Sequence, residues 1–505
     1  MDQFMSFVGI LALLGLAWLM SNNRRLMNWQ TIGVGLLLQV ILGAILLKWQ
    51  PGIDGISAFS DGVKGFLKLS EQGSGMVFQD LGLSAKSGFQ FAFQILPTII
   101  FFSAVMAVLY YLGLMQIIIS FMAKFVKKAM GTSGSETLSV SANIFVGQTE
   151  APLMIRPFLP QMTKSELFTV MVGGFATVAG GVLAAYIGMG VDAGHLVVAS
   201  VMSAPAALVV AKIMYPETEV SQTAGDVALP DIDSGDNVID AAARGATDGL
   251  KLALNVAAML IAFLGLVAVA DWLLGGLDSL IDGSMLGGEQ MANKEFSGFF
   301  PGSLTTIFGT LLAPIAFVMG VPWADAAAVG NLLGQKLAVN EFVGYQTLSD
   351  LIKSGTITER SAVISTYALC GFANFGSIGI QIGGIAALAP ERRKDLASMG
   401  FKAMLGGAFA TWLTACVAGL MIGAPTTPAS SKTVTTQPAV HSVMTHSRSI
   451  VAPSIEETAK TIIKVSEAQL ARATVGSIDT APLPKVTHPD PVKSTKKAKS
   501  SSDTK

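Results

Sequence analysis

Apolar runs of about 20 residues recur along the chain, and each is long enough to cross a lipid bilayer as a helix. They constrain the fold because backbone polar groups in lipid must find partners within one helix or in a closed barrel. The pattern therefore predicts helices that span a membrane. The eight predicted spans cover residues 4–20, 30–48, 92–125, 164–190, 193–214, 251–274, 359–388 and 395–422.

The scarcity of charge favours a membrane protein over a soluble fold. Hydrophobic residues make up 51% of the 505-residue chain and charged residues only 13%, whereas soluble proteins carry about 25% charged residues. The sequence has no uniformly basic face for nucleic acid, so no nucleic-acid partner is expected. Cys370 and Cys416 lie in apolar stretches, which indicates neither a disulfide framework nor a cysteine-ligated metal site. No HExxH or GxSxG motif occurs along the spans, so an enzyme is not indicated.

Lysine and arginine collect in alternate gaps between the predicted spans. These gaps contain SNNRR at 21–25, MAKFVKKAMG at 122–131 and APERRK at 389–394. Because positive charge favours the cytoplasmic side, the three gaps are expected inside and both termini outside. An acidic residue precedes the first apolar run and arginines follow it, so we expect a retained helix rather than a cleaved signal peptide.

Several stretches do not fit a simple span. Residues 53–85 are mildly apolar and predict an interfacial amphipathic helix. Residues 133–160 and 301–350 have polar centres marked by Gly and Pro, which predict half-helices meeting at a buried turn. The second of these stretches also contains a further run of spanning length at 303–321. Residues 424–505 form a Pro-, Ser- and Thr-rich tail that is expected to be disordered, apart from an exposed or docked helix at 454–473.

Two blocks of the sequence repeat the same order of features. In each block a hairpin with a polar turn, GQTEAP at 147–152 or NEFVGY at 340–345, precedes a helix with an interrupted centre, at 176–181 or 371–377. The basic gaps predict that the first hairpin enters from inside and the second from outside. Two like units of opposite orientation form an inverted repeat, and its substrate site is expected where the breaks converge.

The predicted fold is an all-α polytopic membrane protein with eight transmembrane helices, two re-entrant hairpins arranged as an inverted repeat, and interfacial helices. The predicted parts are 1–132, scaffold helices and interfacial helix; 133–214, the first hairpin, broken helix and following helix; 215–300, an interfacial segment and scaffold helix; 301–423, the second hairpin, broken helix and last helix; and 424–505, the tail.

Glu150 and Glu341 each lie in a predicted polar turn at membrane depth, where a carboxylate is costly and therefore a functional candidate. The neighbouring amides and hydroxyls favour a neutral, polar ligand rich in hydrogen-bond donors and acceptors. Carbonyl groups freed at a helix break, with the hydroxyl of Thr177, suit a small hard cation. Arg156 and Lys336 are candidate ion-pair partners inside the hairpins, without an assigned substrate role.

Three segments resemble the signature segments of the concentrative nucleoside transporter family: NIFVGQTEAPLMIRPFL at 143–159, NEFVGY at 340–345 and CGFANFGSIGIQIGG at 370–384. The likeness extends over about residues 1–423. It implies a sodium-coupled symporter of bacterial type, in the lipid of the cell inner membrane, that concentrates purine and pyrimidine nucleosides. It also implies a homotrimer in which each protomer combines a scaffold with a transport domain that moves like an elevator.

The resemblance also implies particular site residues. The expected nucleobase contacts are Gln148, Thr149, Glu150 and Val182; the expected ribose contacts are Glu341, Asn374 and Ser377, with Phe372 packing against the ligand. The coupling sodium ion is expected to bind carbonyl groups of Asn143, Val146, Thr177 and Val178, together with the Thr177 hydroxyl. Thr177 stands where sodium-using relatives often have Ser, and Gly376 replaces another Ser frequent in the family.

Three alternatives remain open from the sequence. The same transporter would couple to protons if Glu150 or Glu341 carried the coupling proton. A protein of another class, an intramembrane enzyme, would use the same two carboxylates as a catalytic pair. A passive pore would admit the ligand without accumulating it.

Overall fold

The computed structural model describes residues 2–87, 90–223, 235–291 and 293–423. Within these ranges the chain is helical, and an isolated bridge between Gln290 and Phe296 is the one β-type pairing. The all-α prediction is therefore confirmed. The predicted tail, including its helix at 454–473, lies outside the described residues.

The first part of the chain begins with two membrane-length helices, α1 (Asp2–Leu19) and α2 (Trp29–Leu47). The side chain of Asn28 caps α2 by accepting hydrogen bonds from the backbone N–H groups of Gln30 and Thr31. Three further helices follow in and around the stretch predicted as interfacial: α3 (Gln50–Leu67), α4 (Ser70–Phe78) and α5 (Ser84–Ser87).

The prediction of one span at 92–125 is wrong, because two helices occupy this stretch. A π-helical turn at Phe91–Ile95 leads into α6 (Leu96–Tyr111), and α7 (Leu114–Met130) follows. Between them Gly113 has φ 76°, a left-handed conformation that ends a helix and that glycine adopts without strain.

The first block contains a hairpin followed by a broken helix. Its first limb is α8 (Gly134–Ala142), and its return limb consists of 3₁₀ turns at Ala151–Ile155 and Leu159–Gln161. The broken helix consists of α9 (Lys164–Ala176) and α10 (Gly180–Gly188). Helix α11 (Ala193–Met214) completes the block. Both α8 and α9 begin with capping boxes, formed by Ser133 with Glu136 and by Thr163 with Glu166.

Helix α12 (Val238–Asp278) has 41 residues and continues into a π-helical turn at Ser279–Met285. The predicted span at 251–274 is therefore too short, because the polar residues before it are also helical. Glycines at 245 and 249 bring α12 against α6: a Cβ atom at Gly245 would lie 2.7 Å from the carbonyl oxygen of Ser103. This spacing of two glycines, one turn apart, allows close packing of membrane helices.

The second block has the same order of elements. Helix α13 (Leu304–Val318) precedes the hairpin helices α14 (Trp323–Ala338) and α15 (Glu341–Ser354). The axes of α13 and α14 differ by 116° across a short break. The second broken helix consists of α16 (Glu359–Leu369) and α17 (Phe375–Leu388), and α18 (Arg393–Met421) follows.

Among the described residues, seven helical stretches are long and apolar enough to cross a membrane, with α9 and α10 counted as one stretch, or eight if α13 and α14 together form one span. The predicted span at 359–388 is not among these stretches, and its helices α16 and α17 have 11 and 14 residues. The interruption of this stretch at 371–377 was predicted, and so was the interruption at 176–181.

Candidate functional site

The two helix breaks lie against each other. Gly371, in the break between α16 and α17, has φ 97°. A Cβ atom at this position would meet the carbonyl oxygen of Phe175 and would lie 2.6 Å from the carbonyl carbon of Ala176, at the end of α9. A residue larger than glycine would separate the two breaks, so this close approach places the functional residues of both blocks in one region.

Glu341 connects three elements at this junction. Its carboxylate accepts a hydrogen bond from the Tyr186 hydroxyl on α10 at 3.0 Å and another from Asn374 Nδ2 at 3.2 Å. The residue is only 4% exposed. Two donors from different helices therefore hold this buried carboxylate in one orientation.

Asn374 and Ser377 connect the same cluster to the first hairpin. The Asn374 side-chain oxygen caps α17 by accepting a hydrogen bond from the Ser377 backbone N–H at 2.8 Å. The Ser377 hydroxyl in turn accepts a hydrogen bond from Gln148 Nε2 at 3.2 Å. The Gln148 side-chain oxygen is buried and has no hydrogen-bond partner among the described residues. A continuous set of polar contacts thus runs from Tyr186 to Gln148.

Thr149 and Glu150 lie beside this cluster in a different environment. The Thr149 hydroxyl donates a hydrogen bond to Glu150 at 3.0 Å, and Glu150 is exposed. Its other carboxylate oxygen approaches Gly147 so closely that a Cβ atom at 147 would collide with it. The hydrogen bonds of the described residues do not join Glu150 to Glu341.

The two apolar residues expected at the site lie in or beside the breaks. Val182 is buried in the first turns of α10, one turn before Tyr186. Phe372 is half-buried in the break between α16 and α17 and packs against the core.

The four expected sodium-binding residues lie at the ends of α8 and α9. Asn143 is the C-cap of α8; its side-chain N–H group donates to the Ser139 carbonyl oxygen at 3.1 Å, while its side-chain oxygen is buried and has no partner in the described ranges. Thr177 is the C-cap of α9 and donates through its hydroxyl to the Gly173 carbonyl oxygen at 3.0 Å.

A backbone hydrogen bond connects the segments that follow these two helices. The Gly180 N–H group, at the start of α10, donates to the carbonyl oxygen of Phe145, the residue before Val146, at 3.1 Å. Carbonyl groups at a helix end lack partners from the next turn, and oxygen atoms are the ligands that hard cations prefer. The residues present therefore fit a sodium ion.

Comparison with known proteins decides the family. The model described as "Na+ dependent nucleoside transporter C-terminus" matches residues 195–419, its N-terminal counterpart matches residues 8–81, and a "Nucleoside recognition" model matches residues 92–193. An uncharacterized transporter of Haemophilus influenzae is 43% identical over 84% of this chain and 99% of its own length. The chain belongs to the concentrative, Na+ dependent nucleoside transporter family.

Further relatives of this nucleoside transporter support the assignment. Sodium/nucleoside cotransporter 1 of Mus musculus is 42% identical over 83% of this chain, which spans 64% of that longer protein. A solved structure, CNTnw in an inward-facing substrate-bound state, is 40% identical, has a TM-score of 0.75, and covers 83% of this chain and 98% of its own. The protein is thus a multi-pass membrane transporter for nucleosides and not an enzyme.

Two residues differ from the expectations of the sequence analysis: Tyr186 was not identified there, and Lys336 was a candidate for an ion pair. Tyr186 is missed, although its position one turn after Val182 places both on one face of α10. Lys336 is fully buried and forms no ion pair in the described part of the chain. Its ammonium instead donates hydrogen bonds to two carbonyl groups and a hydroxyl. Arg156 is exposed.

Proposed function

We propose that this nucleoside transporter is a symporter that couples uptake of purine and pyrimidine nucleosides to entry of sodium. The observation that carries the proposal is the polar cluster of Tyr186, Glu341, Asn374, Ser377 and Gln148, which joins both helix breaks. Several of its hydrogen-bond groups are buried, and a nucleoside offers matching hydroxyl and ring groups.

In the proposed complex the second block recognises the ribose. Glu341 and the amide of Asn374 can pair with adjacent hydroxyl groups, and Ser377 adds a further polar contact. A site built around hydroxyl groups strongly rejects an analogue that lacks them, because its buried polar groups are then left unpaired. The half-buried ring of Phe372 packs against the ligand.

The first block recognises the nucleobase in this proposal. Gln148 offers a side-chain oxygen that has no hydrogen-bond partner among the described residues, Thr149 offers a hydroxyl, and Glu150 adds an exposed carboxylate. Val182 supplies an apolar wall. An amide, a hydroxyl and a carboxylate accommodate both donor and acceptor edges, which supports acceptance of purines and pyrimidines.

Sodium and nucleoside are coupled because they share one short turn. The proposed sodium ligands Asn143 and Val146 precede Gln148 by only a few residues, and Thr177 and Val178 complete the ion site. Either ligand orders this turn, so binding of one raises the affinity for the other by the same factor.

Transport then requires the site to open to each side in turn. We propose an elevator-like movement of residues 133–214 and 301–423 against a scaffold in a homotrimer of the cell inner membrane. The exposed apolar side chains of α12, including Leu254, Ile261 and Trp272, provide a surface for lipid or neighbouring subunits.

The decisive experiment measures uptake of labelled uridine into proteoliposomes with sodium and proton gradients imposed separately. Accumulation above equilibrium is expected with a sodium gradient alone and should persist when the proton gradient is collapsed. Accumulation that follows pH and ignores sodium would instead favour proton coupling through Glu150 or Glu341. Uptake that stops at equilibrium under both gradients would indicate a pore.

Two variants of one residue test the ion site. Thr177→Val removes the hydroxyl and retains the branched shape, so the sodium concentration for half-maximal uptake should rise about ten-fold, since one hydrogen-bonding group contributes about 1 kcal/mol or somewhat more. Thr177→Ser retains the hydroxyl and is the matched control, with sodium activation close to that of the parent. Equal sodium activation in all three proteins would remove Thr177 from the ion site.

A further inference from the structure

Lys336 lies in the last turn of α14, inside the second hairpin, and is completely buried. Its ammonium donates to the carbonyl oxygens of Ala368 at 2.9 Å and Cys370 at 2.8 Å, and to the Thr411 hydroxyl on α18 at 3.0 Å. The three acceptors are neutral. Among the described residues no carboxylate forms a salt bridge with this ammonium, and Glu341 acts on it only through a longer-range electrostatic attraction. A buried cation without a direct ion pair is costly in a membrane, which marks it as a functional candidate.

The position of the ammonium explains how it is stabilised. Cys370 is the C-cap of α16, and Ala368 lies in the last turn of that helix. Carbonyl groups at a helix end lack partners from the next turn and carry the negative end of the helix dipole. Lys336 therefore satisfies the end of α16 at the break that leads to Asn374 and Ser377.

The first block has a corresponding arrangement without a lysine. There α8 ends at its C-cap Asn143 and α9 ends at its C-cap Thr177, and the Gly180 N–H group connects the two following segments by donating to the Phe145 carbonyl oxygen. The available groups are also carbonyls and a hydroxyl. This is the place of the sodium ion under the proposed function. In both blocks a hairpin helix thus ends beside the C-cap of the broken helix that follows it.

We propose that Lys336 is a permanent internal cation that performs, at the second break, the role that a bound sodium ion performs at the first. The consequence is an asymmetric site. The half formed by Glu341, Asn374 and Ser377 is held in shape at all times, whereas the half around Gln148 forms when sodium binds. The comparison with sodium rests on the proposed function; the role of the positive charge at Lys336 does not.

The test replaces the lysine and then supplies a cation from solution. Lys336→Ala leaves a space lined by three acceptors, and n-propylammonium, which has the three carbons and the ammonium that alanine lacks, has the size and charge to fill it. Lys336→Met fills the space without charge. n-Propanol is the neutral control for the amine, and Lys394→Ala is the control for loss of an exposed lysine.

The first readout is the yield of monodisperse purified protein, with each additive present during expression and purification. Both Lys336 variants are expected to lose about ten-fold or more, because leaving buried acceptors unpaired is costly. n-Propylammonium should restore Lys336→Ala and leave Lys336→Met low, while n-propanol should restore neither. Equal yields of Lys336→Ala with the amine and with the alcohol, at whatever level, would overturn the proposal.

The second readout is selectivity, measured by competition of uridine and 2′,3′-dideoxyuridine for binding. Rescued Lys336→Ala should prefer uridine as the parent does, and its preference should fall about ten-fold when the amine is removed, as expected for loss of one charged contact. A preference that does not change with the amine would limit Lys336 to packing. Because the yield readout uses neither sodium nor nucleoside, failure of sodium coupling would leave it interpretable.

Discussion

Among the polar residues of the site, Glu341 has the most constrained environment. It is buried, and its two oxygen atoms accept hydrogen bonds from Tyr186 and Asn374 on different helices. A ligand hydroxyl that approaches this carboxylate meets an acceptor whose orientation is already set, so little side-chain entropy of Glu341 is lost on binding.

Glu341→Gln tests the ribose assignment. The change removes a charged acceptor, and hydrogen bonds to charged groups contribute about 1.5–3 kcal/mol. The apparent affinity for ribonucleosides should therefore fall roughly ten- to a hundred-fold. A 2′,3′-dideoxynucleoside should bind poorly to the parent and lose much less on mutation. The measurement is a competition matrix of four ribonucleosides and their dideoxy analogues.

Gln148→Ala is the matched variant on the nucleobase side of the same matrix. It should change the ranking among bases and leave the sensitivity to ribose hydroxyls in place. Equal losses for ribo- and dideoxynucleosides in Glu341→Gln would assign Glu341 to coupling or to the structure instead.

Sequence reasoning placed Glu150 and Glu341 in equivalent positions, and the structure separates them. Both lie in polar turns, which local pattern can predict. Glu341 is buried between donors from α10 and α17, whereas Glu150 is exposed beside Thr149. Burial and long-range partners depend on packing between distant segments, so the pattern did not reveal Tyr186 or the acceptors of Lys336.

At the scale of elements, the contact between the two breaks depends on a single glycine. Gly371 has a positive φ and leaves no room for a side chain beside Phe175 and Ala176. Its conformation costs other residues about 1–2 kcal/mol, and the collision adds to that cost.

Gly371→Ala should therefore lower the thermal unfolding midpoint of the purified protein and reduce uptake, because the breaks move apart. Gly379→Ala is the control: Gly379 lies within α17, and a Cβ atom there would meet nothing within 4 Å. The control should keep its activity and gain about 0.4–1 kcal/mol of stability. An unchanged midpoint and unchanged uptake in Gly371→Ala would show that the breaks can separate without effect.

The boundaries of elements were predicted less well than their order. Hydropathy is continuous across Gly113, so the pattern did not separate α6 from α7. The first turns of α12 are too polar to resemble a span, yet they form a helix that is stabilised by packing against α6. Hydropathy indicates which part of a helix contacts lipid, and the helix itself can extend beyond the lipid.

At the scale of the whole molecule, the basic gaps lie at one end. The backbone N–H of Asn22 donates to the carbonyl oxygen of Met214, Arg392 donates to that of Leu159, and Lys212 pairs with Glu136 at 2.7 Å. The amino-terminal end of α1 lies beside the last turn of α18, where Gln3 donates to the carbonyl oxygen of Ile422 at 2.9 Å. This arrangement supports the expectation from the sequence that the beginning of α1 and the end of α18 face the outside.

Arg360 holds the end of the helical unit and indicates where the chain can be shortened. This nearly fully buried guanidinium donates to the carbonyl oxygens of Gly419, Ile422 and Gly423 on α18 and just beyond it, and also to that of Gly320. Within the described part of the chain, the last acceptor of Arg360 is therefore Gly423.

A chain that stops after Gly423 is therefore expected to fold, to elute as the parent oligomer on size-exclusion chromatography and to transport nucleosides at the parent rate. A chain that stops after Ala418 is the comparison. It removes three acceptors of Arg360 and leaves a buried cation poorly compensated, a loss that costs about 3–5 kcal/mol, so its folded yield should collapse. If the chain that stops after Gly423 also lost its oligomer or its uptake, residues 424–505 would have a structural role. If both products behaved like the parent, Arg360 would not be what holds the end of α18.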